Sequence, residues 1–181
     1  WIRISRKNPH YFEHANGDTF IPVGVNLCFQ RFLQTDEACL AAYCRQIATF
    51  ARNGGNFIRV WMGVPFLQLE PERSDVFSER KLANLHALVE VARENNVRIK
   101  FTLEHFRRLG GGTDEELFPG AANFENPVHR KDNGGFADSV PEFMTSEAGR
   151  KHFIRKLELL SRHFSEEPAV MAWELWNEIN T

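Results

Sequence analysis

The stretch Ala169-Val-Met-Ala-Trp-Glu-Leu-Trp-Asn-Glu-Ile-Asn-Thr181 decides how this chain is read. An apolar, aromatic run of strand length stops at a paired amide and carboxylate, Asn177 and Glu178. A strand this apolar belongs in a sheet covered on both faces, as parallel sheets are. A carboxylate just past the C-terminal end of such a strand stands where barrels and open α/β sheets carry out their chemistry.

Upstream, strands and helices alternate. Thr145-Ser-Glu147 caps a helix whose apolar positions Phe153, Ile154, Leu157, Leu160 and Phe164 recur at helical spacing, and Pro168 leads into the final strand. Val97-Arg-Ile-Lys-Phe-Thr-Leu-Glu-His105 reads as a third strand and Asn56-Phe-Ile-Arg-Val-Trp-Met62 as a second. Between them a helix runs through Leu82, Leu85, Leu88, Val89 and Ala92 and halts at Asn95-Asn96. An earlier helix opens at Thr35-Asp36-Glu37, an N-cap with acidic first-turn residues, and closes at Asn53-Gly54-Gly55. The run Phe20 to Cys28 is the first strand, and Asn16-Gly17 before it is a strong hairpin signal.

This alternation is that of a parallel sheet. A (β/α)8 TIM barrel needs about 250 residues, whereas this chain has 181 and stops at strand four. The expected fold is therefore α/β: a TIM barrel represented by its first four βα units, preceded by an N-terminal β-hairpin. Residues 1–181 form the first half of one domain, with 1–19 as the hairpin region and 106–145 as a long loop after the third strand. A loop that long is usually functional or disordered, and it should overhang the cleft.

Composition narrows the partners. Hydrophobic residues at 43%, charged residues at 25% and a net charge of −2 describe a soluble globular protein. They point to neither nucleic acid nor a membrane surface, and no apolar run approaches a membrane span. Cys28, Cys39 and Cys44 are too few for a disulfide scaffold and lack zinc-site spacing. Asp132-Asn133-Gly134 lacks the ligand spacing of a calcium loop and reads as a turn. No metal and no cofactor are expected. The chain opens on Trp1 with neither initiator Met nor signal peptide, which reads as a trimmed start.

Trp173-Glu-Leu-Trp-Asn-Glu178 resembles the strand-four signature of glycoside hydrolase clan A, above all family 5. That resemblance implies a retaining glycosidase acting on β-linked glycosides or polysaccharides, with a secreted or periplasmic location slightly favoured. Carried onto this sequence, Glu178 is the general acid/base and Asn177 its neighbour, binding the sugar 2-hydroxyl. Retention needs a second carboxylate roughly 5–5.5 Å away. In family 5 this nucleophile comes from strand seven, so the chain holds half of the catalytic pair and alone should be inactive. Its missing partner is then the C-terminal half of the barrel, and its substrate a carbohydrate.

Further candidates line up at strand ends. Arg59 is a charge inside an apolar strand and demands a partner; the resemblance assigns it to holding the nucleophile, with a structural ion pair to some other carboxylate as the alternative. The resemblance also puts His105 at the sugar subsite. Trp61 and Trp176 either stack on sugar or pack in the core. Asn26 and Phe29 follow the first strand at the same end. Glu104 should point away from the pocket by strand alternation, and Glu174, in mid-strand, reads as an ion-paired or hydrogen-bonded core residue. Two other readings compete: a non-catalytic carbohydrate-binding protein on the same scaffold, and a doubly wound α/β domain. The lack of a Gly-x-Gly-x-x-Gly or phosphate-binding loop after strand one counts against a nucleotide enzyme.

Overall fold

A computed structural model of the chain describes residues 1–28, 30, 35–104 and 128–177. The expectations for Phe29, His105 and Glu178 fall outside these residues.

The N-terminal hairpin region is a small antiparallel sheet of β1 (Ile2–Ile4), β2 (Phe12–His14) and β3 (Thr19–Phe20), in that order. Gly17 turns the chain at φ 94°, and Asn16 Oδ1 accepts from the Asp18 N–H at 3.1 Å, closing the turn that Asn16-Gly17 signalled. Glu13 is buried beneath this sheet. Ser5 Oγ and Arg3 Nε each donate to it at 2.9 Å, and the Ser5 bond leads in holding its carboxyl below the ordinary range.

The first predicted strand is not continuous. Phe20 closes the hairpin, and the parallel sheet begins separately with β4 (Gly24–Asn26). Pro22 lacks an N–H and interrupts any ladder. Asn56 bridges the gap: its Oδ1 accepts from the Val23 N–H at 2.8 Å and its Nδ2 donates to the Ile21 carbonyl at 3.0 Å.

The main sheet is parallel throughout, in the order β4, β5 (Phe57–Trp61), β6 (Arg98–Glu104), β7 (Val170–Trp176). The crossovers carry α1 (Asp36–Arg52), α2 (Glu79–Glu94) and α4 (Glu147–Phe164). Each helix starts at a side-chain cap: Thr35, Ser78 and Ser146 side chains accept from the N–H groups of Ala38, Lys81 and Gly149. One face of the sheet presents Ile58, Val60, Ile99, Phe101 and Leu103 to Tyr43, Ile47, Leu85, Leu88 and Leu160 of the helices. Each such side chain contributes about 1.5–3 kcal/mol by leaving water, so this layer fixes the strand ends against the helices. The opposite face carries Asn26, Arg59, Lys100, Thr102 and Glu174. Between β6 and β7 the register slips once: Ile99 pairs with Val170 but Lys100 with Ala172, so Met171 is an extra residue on β7.

The expected loop 106–145 is structured at its C-terminal end. Lys131–Asn133 forms a short 3-10 turn ending at Gly134 (φ 80°), and α3 (Val140–Thr145) starts from a Ser139 cap. Six residues are too few to show helical periodicity, which is why the sequence reading ran past α3. Phe143 of α3, Ala137 and Trp176 build a second small core beside the end of β7. Among the described residues no helix is long and apolar enough to cross a membrane.

Candidate functional site

Arg59 organises the polar face. Its Nε donates to Glu174 Oε2 at 2.8 Å and its Nη2 to Glu174 Oε1 at 2.5 Å, a two-pronged guanidinium–carboxylate pair. The same Nη2 donates to Asn177 Oδ1 at 2.6 Å. Lys100 Nζ lies 2.8 Å from Glu174 Oε2, and Thr102 Oγ1 donates to that oxygen at 3.3 Å. Arg59 first, and then Lys100, hold the Glu174 carboxyl down to about 2 against the effect of its partial burial. Among the described residues, the carboxylate Arg59 holds is thus Glu174 in mid-strand, as the ion-pair reading expected. Burial pushes the neighbouring Cys28 thiol up, against the pull of Arg59.

Asn177 stands one residue beyond β7 and is 4% exposed. Its backbone N–H donates to the Glu104 carbonyl at 2.8 Å, which ties the end of β7 to the end of β6. With its Oδ1 on Arg59, its Nδ2 has no hydrogen-bond partner among the described residues. A buried amide donor in that state is ready for an acceptor such as a sugar hydroxyl. Glu178 is the next residue along the chain.

Asn26 ends β4 and pairs in register with Arg59. With Arg59, Lys100, Gly24 and Phe57 it lines an open hollow of about 380 Å³. The Arg59 guanidinium also sits 5.7 Å from the Trp61 ring centre. The two tryptophans are mostly buried: Trp61 at 8% exposure joins the main core, and Trp176 at 9% sets its ring edge-on to Phe143. Trp176 therefore sits in the small core of α3. Glu104 is fully buried and pairs with Lys156 of α4.

Sequence reasoning passed over Lys100. The signal was present, because Lys100 interrupts an apolar strand just as Arg59 does. It also passed over Glu70, His129 and His152, which converge beneath α4 and share no spacing motif.

With this geometry in place, comparison with known proteins is informative. No protein-family model and no curated protein matches the sequence. Solved structures do match. An endo-1,4-β-mannanase from Rhizomucor miehei superposes with a TM-score of 0.64 at 17% identity, over 93% of this chain and 46% of that one. The chain has a family 5 glycoside hydrolase-like fold. A β-1,4-D-mannanase from Cryptopygus antarcticus gives 0.63 at 18% identity, over 93% and 42% of the two chains. A β-mannanase from the blue mussel Mytilus edulis gives 0.61 at 16%, over 93% and 44%. The chain thus spans less than half the length of these enzymes.

Proposed function

We propose that this chain is the acid/base-bearing half of a retaining β-glycoside hydrolase, with β-mannan the first substrate class to test. The observation that carries the reading is the Arg59–Asn177 contact. It fixes the amide immediately before Glu178 at the mouth of a parallel sheet and leaves its N–H donors for a substrate hydroxyl. The mannanase neighbours favour mannan.

In this reading Glu178 protonates the leaving glycosidic oxygen and then deprotonates water. A nucleophilic carboxylate from the other half of the barrel attacks the anomeric carbon and holds the sugar covalently between the two steps. Asn177 Nδ2 donates to the sugar 2-hydroxyl, a contact that strengthens as the oxocarbenium-like transition state develops. Arg59 acts through Asn177 as a positioning residue. The open hollow beside Asn26 is the inner face that the rest of the barrel would close.

Kinetics of the full gene product with Glu178→Gln test this. Activity on mannan should fall by orders of magnitude, activity on aryl mannosides with good leaving groups should fall less in the first step, and azide should restore part of the turnover. Equal losses on both substrates without azide rescue would refute the acid/base role. Sugar binding with no hydrolysis by the unaltered protein would favour the carbohydrate-binding alternative.

A further inference from the structure

Away from the sugar site, Glu70, His129 and His152 bring one carboxylate oxygen and two imidazole nitrogens within 4.8 Å of one another. Glu70 is 1% exposed and both histidines are fully buried. Glu70 Oε2 lies 3.5 Å from His152 Nε2 and 4.0 Å from His129 Nε2. We propose that these three residues bind a divalent transition metal, zinc by preference, in a site separate from the glycosidase chemistry.

The contacts of His152 lead to this. His152 Nδ1 lies 2.9 Å from Asp75 Oδ1, and Arg155 also pairs with Asp75. The Asp75 carboxylate accepts the Nδ1 hydrogen, so Nε2 is the nitrogen turned towards Glu70. It stands 3.5 Å from Glu70 Oε2 and has no hydrogen-bond partner among the described residues. A buried imidazole nitrogen left over beside a carboxylate oxygen and a second imidazole is a donor set for a metal ion.

The surrounding contacts are those that orient metal ligands. One tight turn supplies all of them. Ser74 Oγ sits 2.9 Å from His129 Nδ1, Asp75 Oδ1 takes His152, and the Asp75 N–H donates to Glu70 Oε1 at 2.5 Å, turning Oε2 towards the histidines. Asp75 holds this turn in the left-handed region at φ 63°. Two imidazoles and a carboxylate form the two-His, one-carboxylate set that zinc accepts, with one position of a tetrahedron left over. Metal–ligand bonds of about 2.0–2.2 Å require the three atoms to draw slightly closer than they stand here.

Lys156 is the competing cation, with Nζ 3.2 Å from Glu70 Oε2 and also paired with Glu104. Metal entry would displace the ammonium from Glu70 and leave its pair with Glu104 in place. The bound ion would tie the 70–78 turn and the 128–137 segment to α4.

The test uses the full gene product, stripped with a chelating resin and titrated with zinc against a chromophoric chelator. One zinc per chain is expected, with cobalt(II) giving the visible absorption of a four-coordinate site and zinc, not magnesium, raising Tm. His152→Gln and His129→Gln should abolish stoichiometric binding. Ser74→Ala removes no ligand, only the hydroxyl that meets His129 Nδ1, and should weaken zinc about 10–100-fold, which keeps the test decisive if the histidine variants misfold. Absence of stoichiometric zinc, a six-coordinate cobalt spectrum, or unchanged affinity in a folded His152→Gln or Ser74→Ala protein would each overturn the proposal.

Discussion

Arg59 and Asn177 are separated by 118 positions in the sequence, yet Nη2 of one donates to Oδ1 of the other at 2.6 Å. The contact spans the sheet from β5 to the end of β7, past β6. It exists because Arg59 has a second commitment on Glu174, which holds the guanidinium plane in place. A strand-end amide is thereby fixed by an ion pair lower in the sheet.

Arg59→Lys should therefore disturb more than charge. An ammonium lacks the planar fork that serves Glu174 and Asn177 together. In the full gene product, kcat/KM on mannan should fall about 10²-fold, in line with the cost of misplacing a catalytic group, while far-UV circular dichroism stays native. Full activity in Arg59→Lys would show that Asn177 needs no fixing.

Asn177→Ala removes the amide donor proposed to meet substrate and the acceptor of Arg59 at once. Stability should drop by about 1–3 kcal/mol for the hydrogen bond left unmade, read by urea denaturation. Substrates lacking the 2-hydroxyl should lose much less rate than their parents, because the missing contact is to that group. An equal loss on both would remove Asn177 from sugar recognition.

Glu174 makes stability depend on acid. Its folded carboxyl titrates at about 2, below the ordinary 4.5. A depressed carboxylate contributes stability that is complete above the unfolded value and is lost as pH falls through the folded one. Between about pH 5 and pH 2 the Tm should fall, and Glu174→Gln should flatten that segment of the curve while lowering Tm at neutral pH. Identical curves for the two proteins would mean that the pair with Arg59 contributes nothing.

Gly149→Ala probes how α3 seats on α4. A Cβ at Gly149 would stand 1.8 Å from the Phe143 carbonyl oxygen, a backbone atom that moves only with its helix. The substitution favours helix in isolation, yet it should destabilise the protein by about 1–3 kcal/mol through overpacking. An increase in Tm would show that α3 is not held against α4 as described.

Much of this was legible in the sequence because the signals were local. Thr35, Ser146 and Asn53 marked helix ends with their own hydrogen-bonding groups, and a charge at position 59 in an apolar strand announced a partner. Where partners are distant, the sequence was silent. Nothing near Pro22 shows that Asn56 would close the break after the hairpin. Residues 140–145 are too short for a period, so α3 emerged only through Phe143 and its packing on Trp176. Glu70, His129 and His152 come from three separate segments, and only the turn at Ser74–Asp75 makes them a group.

The extra residue at Met171 can be taken out without moving anything beyond it, because Ile99 still meets Val170 and Lys100 still meets Ala172. One residue further on the outcome is different. Side chains alternate along a strand, so deleting Trp173 exchanges the faces of all that follow. The Glu174 carboxylate would swing from Arg59 to the apolar side, where Trp173 stacks on Phe101. The guanidinium would lose its counter-charge, and the count of residues past the bulge therefore sets whether the sheet is electrically neutral at its centre.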